Sequence, residues 1–244
     1  MTLAKAFGKD LAMVFYYIRH GDPIYNPDSL TPLGKRQAEA VGRWFCRKGL
    51  DRIYSSTSQR AIDTATPASE MLKKPIELLD FANENHAWRQ LTYMMGERRT
   101  WVCDVPEMKS FFRTPEIMNL GFKWYEHPKF EGYDYAAGLD RIQRASDEFF
   151  ATLGYEHDTG MGRYKATKPT NERVALFAHA GFGIAFLSCV LDIPYTILGA
   201  HLSLRTTGVT AISFNEGADG YAVPVVQTYN SEAHLLLDNL PVNM

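Results

Sequence analysis

Cysteine is scarce: three in 244 residues, at Cys46, Cys103 and Cys189, with no Cys-x-x-Cys pair. An odd, scattered set excludes a disulfide framework and the common zinc modules, and fits a reducing, cytoplasmic setting. No apolar run is long enough to span a bilayer. Lys5 and Lys9 precede an apolar stretch, but that stretch runs directly into Arg19-His20. Cleavage there would discard the most chemically loaded part of the N-terminal region, so no signal peptide is expected. A dominant charge is missing too. The 26 basic and 28 acidic side chains leave a net −2, which argues against nucleic acid or a membrane as the main partner. Repeats and low-complexity tracts are absent. The remainder, 45% hydrophobic and 22% charged, suffices for one large core, so residues 1–244 are expected to form a single domain.

Apolar periodicity lays out alternating strands and helices. Residues 11–18 form a continuous apolar run, as in a strand buried on both faces of a parallel sheet. Thr31 and Pro32 suit the N-cap and first position of a helix. Its Ala38, Val41, Trp44 and Phe45 recur at helical spacing up to a stop at Gly49. Residues 51–55 read as a second strand, and Ser56 with Gln59 as a capping box for a helix that Pro67 should bend or divide. Residues 76–79 and 173–178 read as third and fourth strands, and 207–214 and 223–229 close the sheet. The pattern predicts an α/β fold, a three-layer α/β/α sandwich around a largely parallel sheet.

Between the third and fourth strands, about residues 85–170, aromatics and bases are frequent. An amphipathic helix runs through Leu139, Ile142, Phe149, Phe150 and Leu153, and residues 154–170 have a surface loop's composition. This insertion is expected to cap the strand ends; the plainer alternative is peripheral packing.

Chemistry-bearing residues gather where these elements end. The first strand runs into Arg19-His20-Gly21, followed by Asn26, at the sheet edge where open α/β folds bind ligands. Arg19 offers a planar fork for an oxyanion, Gly21 lets the backbone approach it, and His20 can act on what the arginine holds. A polar turn after a strand would look the same, so the triplet alone decides little. Arg60 stands in the first turn of the second helix, Glu84 after the third strand, and His179 at the end of the fourth. Singly these read as a surface arginine, a solvated glutamate and a packed histidine; jointly they point to a site.

Other candidates carry less. Cys46 and Arg52 have Cys-x5-Arg spacing, but a helix C-terminus disfavours a thiolate, and Cys46 is expected to be packed. Gly181-x-Gly183 lacks the third glycine of a dinucleotide loop and is expected to serve helix packing. Glu156-His157-Asp158 lacks metal-ligand spacing. Asp80 and His86 lie close enough to Glu84 to be its partners, or merely solvated, with Asp80 the fallback acid.

Five segments in order resemble the histidine phosphatase superfamily, the group of phosphoglycerate mutases and many cofactor-independent phosphomonoesterases. Arg19-His20-Gly21 with Asn26 matches its first motif, and residues 30–38 (Leu-Thr-Pro-Leu-Gly-Lys-Arg-Gln-Ala) resemble its Leu-Thr-x-x-Gly-x-x-Gln-Ala helix start. Residues 55–65, containing Arg60, match the segment supplying a second phosphate-binding arginine. Asn83-Glu84-Asn85-His86 resembles the acid-bearing segment, and Ala178-His179-Ala180-Gly181 the second-histidine motif. Asp22 and Pro23 depart from the usual acid or amide and hydroxyl, and Ala180 from the usual glycine.

The resemblance implies hydrolysis of a small phosphomonoester without metal or cofactor. Arg19, Arg60, Asn26 and Gly21 would bind the phosphoryl group and His20 would attack phosphorus, forming a phosphohistidine. His179 would stabilise the transferring group, and Glu84 would protonate the leaving alkoxide. A mutase, keeping the phosphoryl group on His20 for a second hydroxyl, is the runner-up. A low-turnover phosphate sensor or scaffold is the alternative of another class, and a metal hydrolase on His20, Glu84 and His179 is last. The bases of the insertion fit either a substrate with a second anionic group or a solvated face. The oligomeric state is not legible.

Overall fold

The computed structural model describes residues 12–242; residue 11 of the first expected strand and the two early lysines lie outside them. The chain begins with β1 (Ala12–Arg19), a short hairpin of β2 (Pro23–Tyr25) and β3 (Asp28–Leu30), and α1 (Pro32–Lys48). β4 (Arg52–Ser56), α2 (Gln59–Leu72), β5 (Ile76–Leu79) and α3 (Glu84–Leu91) follow. Next come the hairpin β6 (Thr92–Met95) and β7 (Arg98–Trp101), then α4 (Pro106–Phe112), α5 (Pro115–Met118) and α6 (Tyr135–Thr152). A second hairpin, β8 (Tyr155–Asp158) and β9 (Arg163–Ala166), precedes β10 (Arg173–Ala178), α7 (Ala180–Leu191) and α8 (Tyr195–His201). β11 (Val209–Glu216), β12 (Tyr221–Ser231) and α9 (Ala233–Leu237) complete the described chain.

One eight-stranded sheet, in the order β5-β4-β10-β1-β11-β12-β9-β8, divides the molecule. β5, β4, β10 and β1 are mutually parallel, whereas the pairs from β1·β11 outward are antiparallel. The sheet is therefore mixed around a parallel core. Hairpins can only be antiparallel, and β11–β12 and β8–β9 are both hairpins. Residues 154–170, expected as loop, contain the second of these; Tyr155 and Tyr164 are fully buried there, a signal masked by the surrounding glycines and lysines.

β1 shows why its sequence is apolar on both faces. Phe15 and Tyr17 pack with Phe150 and Phe186 from α6 and α7. Tyr16 and Ile18, pointing the other way, pack with Val41 and Phe45 of α1 and Ala65 and Ala68 of α2. Helix α1 starts as expected: Thr31 Oγ1 accepts from the Gly34 amide. Helix α2 differs from expectation. It runs unbroken through Pro67, whose ring packs against Gly42 of α1. Its N-cap is Ser58, not Ser56, which leaves Ser56 free for another task.

Candidate active site

Parallel register sets the two histidines side by side. Arg19 at the end of β1 is level with Ala178 at the end of β10, so His20 and His179 leave adjacent strands at one edge, their ring centres 5.2 Å apart. Both are buried. Ser56, ending β4 beyond β10, reaches the same edge, and its Oγ lies 2.8 Å from His179 Nε2. Glu84 opens α3, where Asn83 caps the helix by accepting from the Asn85 amide.

Hydrogen bonds fix the imidazole tautomers. His20 Nδ1 faces its neighbour's carbonyl, Gly21 O, at 2.7 Å. A carbonyl only accepts, so Nδ1 carries the proton and Nε2 keeps its lone pair. Burial, with the charges of Arg19 and then Arg60, holds the His20 pKa down to about 3, against a smaller upward pull from Gly21 O. His179 Nδ1 receives Arg60 Nη2 at 3.1 Å, which places its proton on Nε2, directed at Ser56. Burial, then His20, Arg60 and Arg19, push the His179 pKa well below the ordinary value. Tyr17 clamps the backbone there: its hydroxyl donates to His179 O at 2.6 Å and accepts from His179 N at 3.2 Å.

Arg60 is the hub. Its Nη1 pairs with Asp28 at 2.8 Å and its Nη2 with Glu84 Oε2 at 3.0 Å. Arg19 donates from Nη1 to Leu204 O at 2.7 Å. Each arginine also has a buried Nε–H without a partner among the described residues, a costly arrangement that an oxyanion would relieve. Glu84 Oε1 accepts the Gly181 amide at 3.1 Å, at the N-terminus of α7. Burial raises the Glu84 pKa, opposed by Arg60, Gly181 and Arg19. The ligand atoms of His20, Glu84 and His179 lie within 4.8 Å of one another, a spacing a metal ion could use. Two guanidinium groups in the same space favour an anion instead.

Gly21 acts differently from expectation. Its amide donates to Thr64 Oγ1 at 2.9 Å, and a Cβ there would lie 2.7 Å from Gly34 O. The glycine therefore lets the loop press on α1. Asp22, one of the departures, joins that contact by accepting from Thr31 Oγ1 at 2.7 Å, while its amide donates to Gln37 Oε1 at 2.8 Å.

Two lobes of cavity, about 310 and 520 Å³, share Tyr25, Glu84 and Trp101. The first holds Arg19, His20, Cys103, Asp104 and the turn at Leu202–Leu204; the second holds Asp28, Arg60, Asn85 and Trp88. Ser56, Tyr17, Asp28, Tyr25, Trp101 and Asp104 were not among the expected site residues. Only Ser56 had a legible signal, its place at a strand end. Asn26 stands on the exposed tip between β2 and β3 and lines neither lobe. Asp80 faces solvent and pairs with His86 at 3.1 Å, away from both lobes. Cys46, expected to be packed, is exposed, because α1 turns that position away from the sheet. Cys103 lines the first lobe, but burial pushes its thiol up to about 11. His157 stacks on Tyr164 and lies between Asp147 and Asp192, a structural cluster remote from the lobes.

Residues 15–103 match the sequence model of the histidine phosphatase superfamily (branch 1). The matched segment carries Arg19, His20, Arg60 and Glu84; His179 lies beyond it and is delivered by β10. The fold of the chain is similar to that of a phosphoserine phosphatase from Entamoeba histolytica, solved with 3-phosphoglyceric acid (TM-score 0.59, 19% identity, 91% of this chain and 99% of that one). It is also similar to a mycobacterial glucosyl-3-phosphoglycerate phosphatase (TM-score 0.60, 19% identity, 91% and 100%). At such identities the likeness is one of fold. Over 66 residues the chain is 41% identical to a Hydrogenobacter thermophilus protein named "Putative phosphoserine phosphatase 2"; the match covers 23% of this chain and 32% of that protein. No helix among the described residues is long and apolar enough to cross a membrane.

Proposed function

We propose that the chain is a phosphomonoesterase working through a phosphohistidine on His20. The observation that carries this is the pairing of a neutral, buried His20, whose Nε2 is free, with two arginines bearing unpartnered buried donors. Arg19 and Arg60 hold the phosphoryl dianion, and Nε2 attacks phosphorus as the ester oxygen leaves. Oxygens of the dianion displace Arg60 from His179 Nδ1 and offset the cationic field on that ring. His179 Nδ1 then takes up a proton from solvent as substrate binds and donates it as a hydrogen bond to the transferring group. Glu84, whose proton affinity burial raises, gives a proton to the leaving alkoxide and later takes one from the water that cleaves the phosphohistidine. The segment carrying Trp88 and Trp101 serves as the cap. The names of the similar proteins support a small phosphorylated metabolite as substrate.

Rapid quenching with ³²P-labelled substrate tests the reading. The parent should yield an acid-labile, base-stable phosphoenzyme and free phosphate without any acceptor. The His20→Ala variant should give neither while remaining folded. Label on Cys103, or turnover by His20→Ala, would refute it.

A further inference from the structure

Tyr25 and Trp101 wall both lobes, and Trp88 adds a third ring to the second. Core packing does not account for Tyr25 and Trp88, which are 67% and 37% exposed. Trp101 is held rigidly. A Cβ on Gly181 would sit 2.3 Å from its indole, and Trp88 meets it edge-on with ring centres 5.1 Å apart. Tyr25 already carries one cation, the Arg60 guanidinium 5.4 Å from its ring centre.

The charges lining the two lobes point the same way. The arginines and carboxyl groups there are Arg19 and Arg60 against Asp28, Glu84 and Asp104. Asp28 and Glu84 are paired with Arg60, whereas Asp104 has no ion pair among the described residues; Lys109 and Arg19 act on it only through space. No arginine or lysine of residues 85–170 lines either lobe, so the insertion's bases lie apart from the cavity. With both arginines on a phosphoryl dianion, no cation remains for a second anionic group. Trp101 lines both lobes, between the partly exposed Trp88 indole of the second and the Asp104 carboxylate of the first, and an aromatic wall with a carboxylate that has no ion pair suits a cation instead.

Building on the phosphomonoesterase reading, we propose that the alcohol half of the substrate carries an alkylammonium cation, seated against Trp88 and Trp101 with Asp104 as its counter-charge. The test compares kcat/KM for phosphocholine, its neutral isostere 3,3-dimethylbutyl phosphate, and anionic phosphoglycolate. The parent should prefer phosphocholine to the isostere by about tenfold, the scale of a partly desolvated cation–π contact, and use phosphoglycolate least. That preference should shrink at least about threefold in Asp104→Asn and, separately, in Trp88→Leu; ratios within one variant cancel differences in leaving-group reactivity. The two changes lie in different elements, so a folding defect in one leaves the other to decide. Equal use of the isostere, a preference for phosphoglycolate, or ratios unmoved in both variants would overturn this specificity while leaving hydrolysis intact. No release from p-nitrophenyl phosphate or any of the three esters would overturn the phosphomonoesterase reading along with it.

Discussion

Replacing Glu84 by glutamine isolates the proton from everything else the side chain does. The amide oxygen can still accept from the Gly181 amide at 3.1 Å, so the junction of α3 and α7 should stay intact. Arg60 loses one carboxylate but keeps Asp28 at 2.8 Å. What disappears is the transferable proton, and general acid catalysis is worth about 10²–10⁴ in rate, or roughly 3–5 kcal/mol of barrier. An alkyl phosphate, whose alkoxide cannot leave unprotonated, should lose that full factor in kcat/KM. With p-nitrophenyl phosphate the phenolate leaves unaided, so phosphorylation of His20 should slow by less than about threefold. Hydrolysis of the phosphohistidine still lacks its base. Stopped-flow absorbance should therefore show a burst of about one equivalent of nitrophenol followed by slow turnover. Asp80→Asn should behave as the parent, because Asp80 pairs with His86 at the surface. Equal slowing of both substrates in the first step, or a burst in the Asp80 variant, would show that another group supplies the proton.

Arg60→Lys keeps a charge but cannot span Asp28, Glu84 and a phosphoryl oxygen together, and steady-state kinetics should show at least about a hundredfold loss in kcat/KM. His157 links stability to pH. Burial opposes its charging, but the hydrogen bond and charge of Asp147, then those of Asp192, outweigh burial and raise its pKa above the ordinary 6.5. A raised pKa means stabilisation fully present below about pH 6.5 and lost as pH climbs through the folded-state value. Thermal midpoints measured from pH 6 to 9 should fall more steeply in the parent than in His157→Gln, and parallel curves would refute the assignment.

The parallel core was legible because β1 and β10 are apolar runs followed at once by His20 and His179, while Arg60 and Glu84 open the helices that follow β4 and β5. The β8–β9 hairpin escaped notice because its two strands are four residues each and flank glycines at 160 and 162. Asn26 fits a motif by spacing, yet the turn after Tyr25 carries it outward, and Tyr25 and Asp28 face the cavity. Trp101 and Asp104 belong to the site through tertiary placement of a segment with no periodic signal. Ser56 shows one residue type serving two readings: a helix cap by pattern, a histidine anchor by position.

The seat of β10 between β1 and β4 has a consequence for biosynthesis. Residues 12–103 contain β1, β4, Arg19, His20, Arg60 and Glu84, but not the strand that joins the two sheet halves. Tyr17 and the His179 backbone it clamps are 162 residues apart in sequence. An emerging chain therefore leaves both edges of β1 and one edge of β4 without their partner strands through most of its synthesis, and the parallel core closes only when β10 inserts. Late closure of that gap is a slow, long-range event. Until residues 173–178 emerge, those edges are open to pairing with other chains.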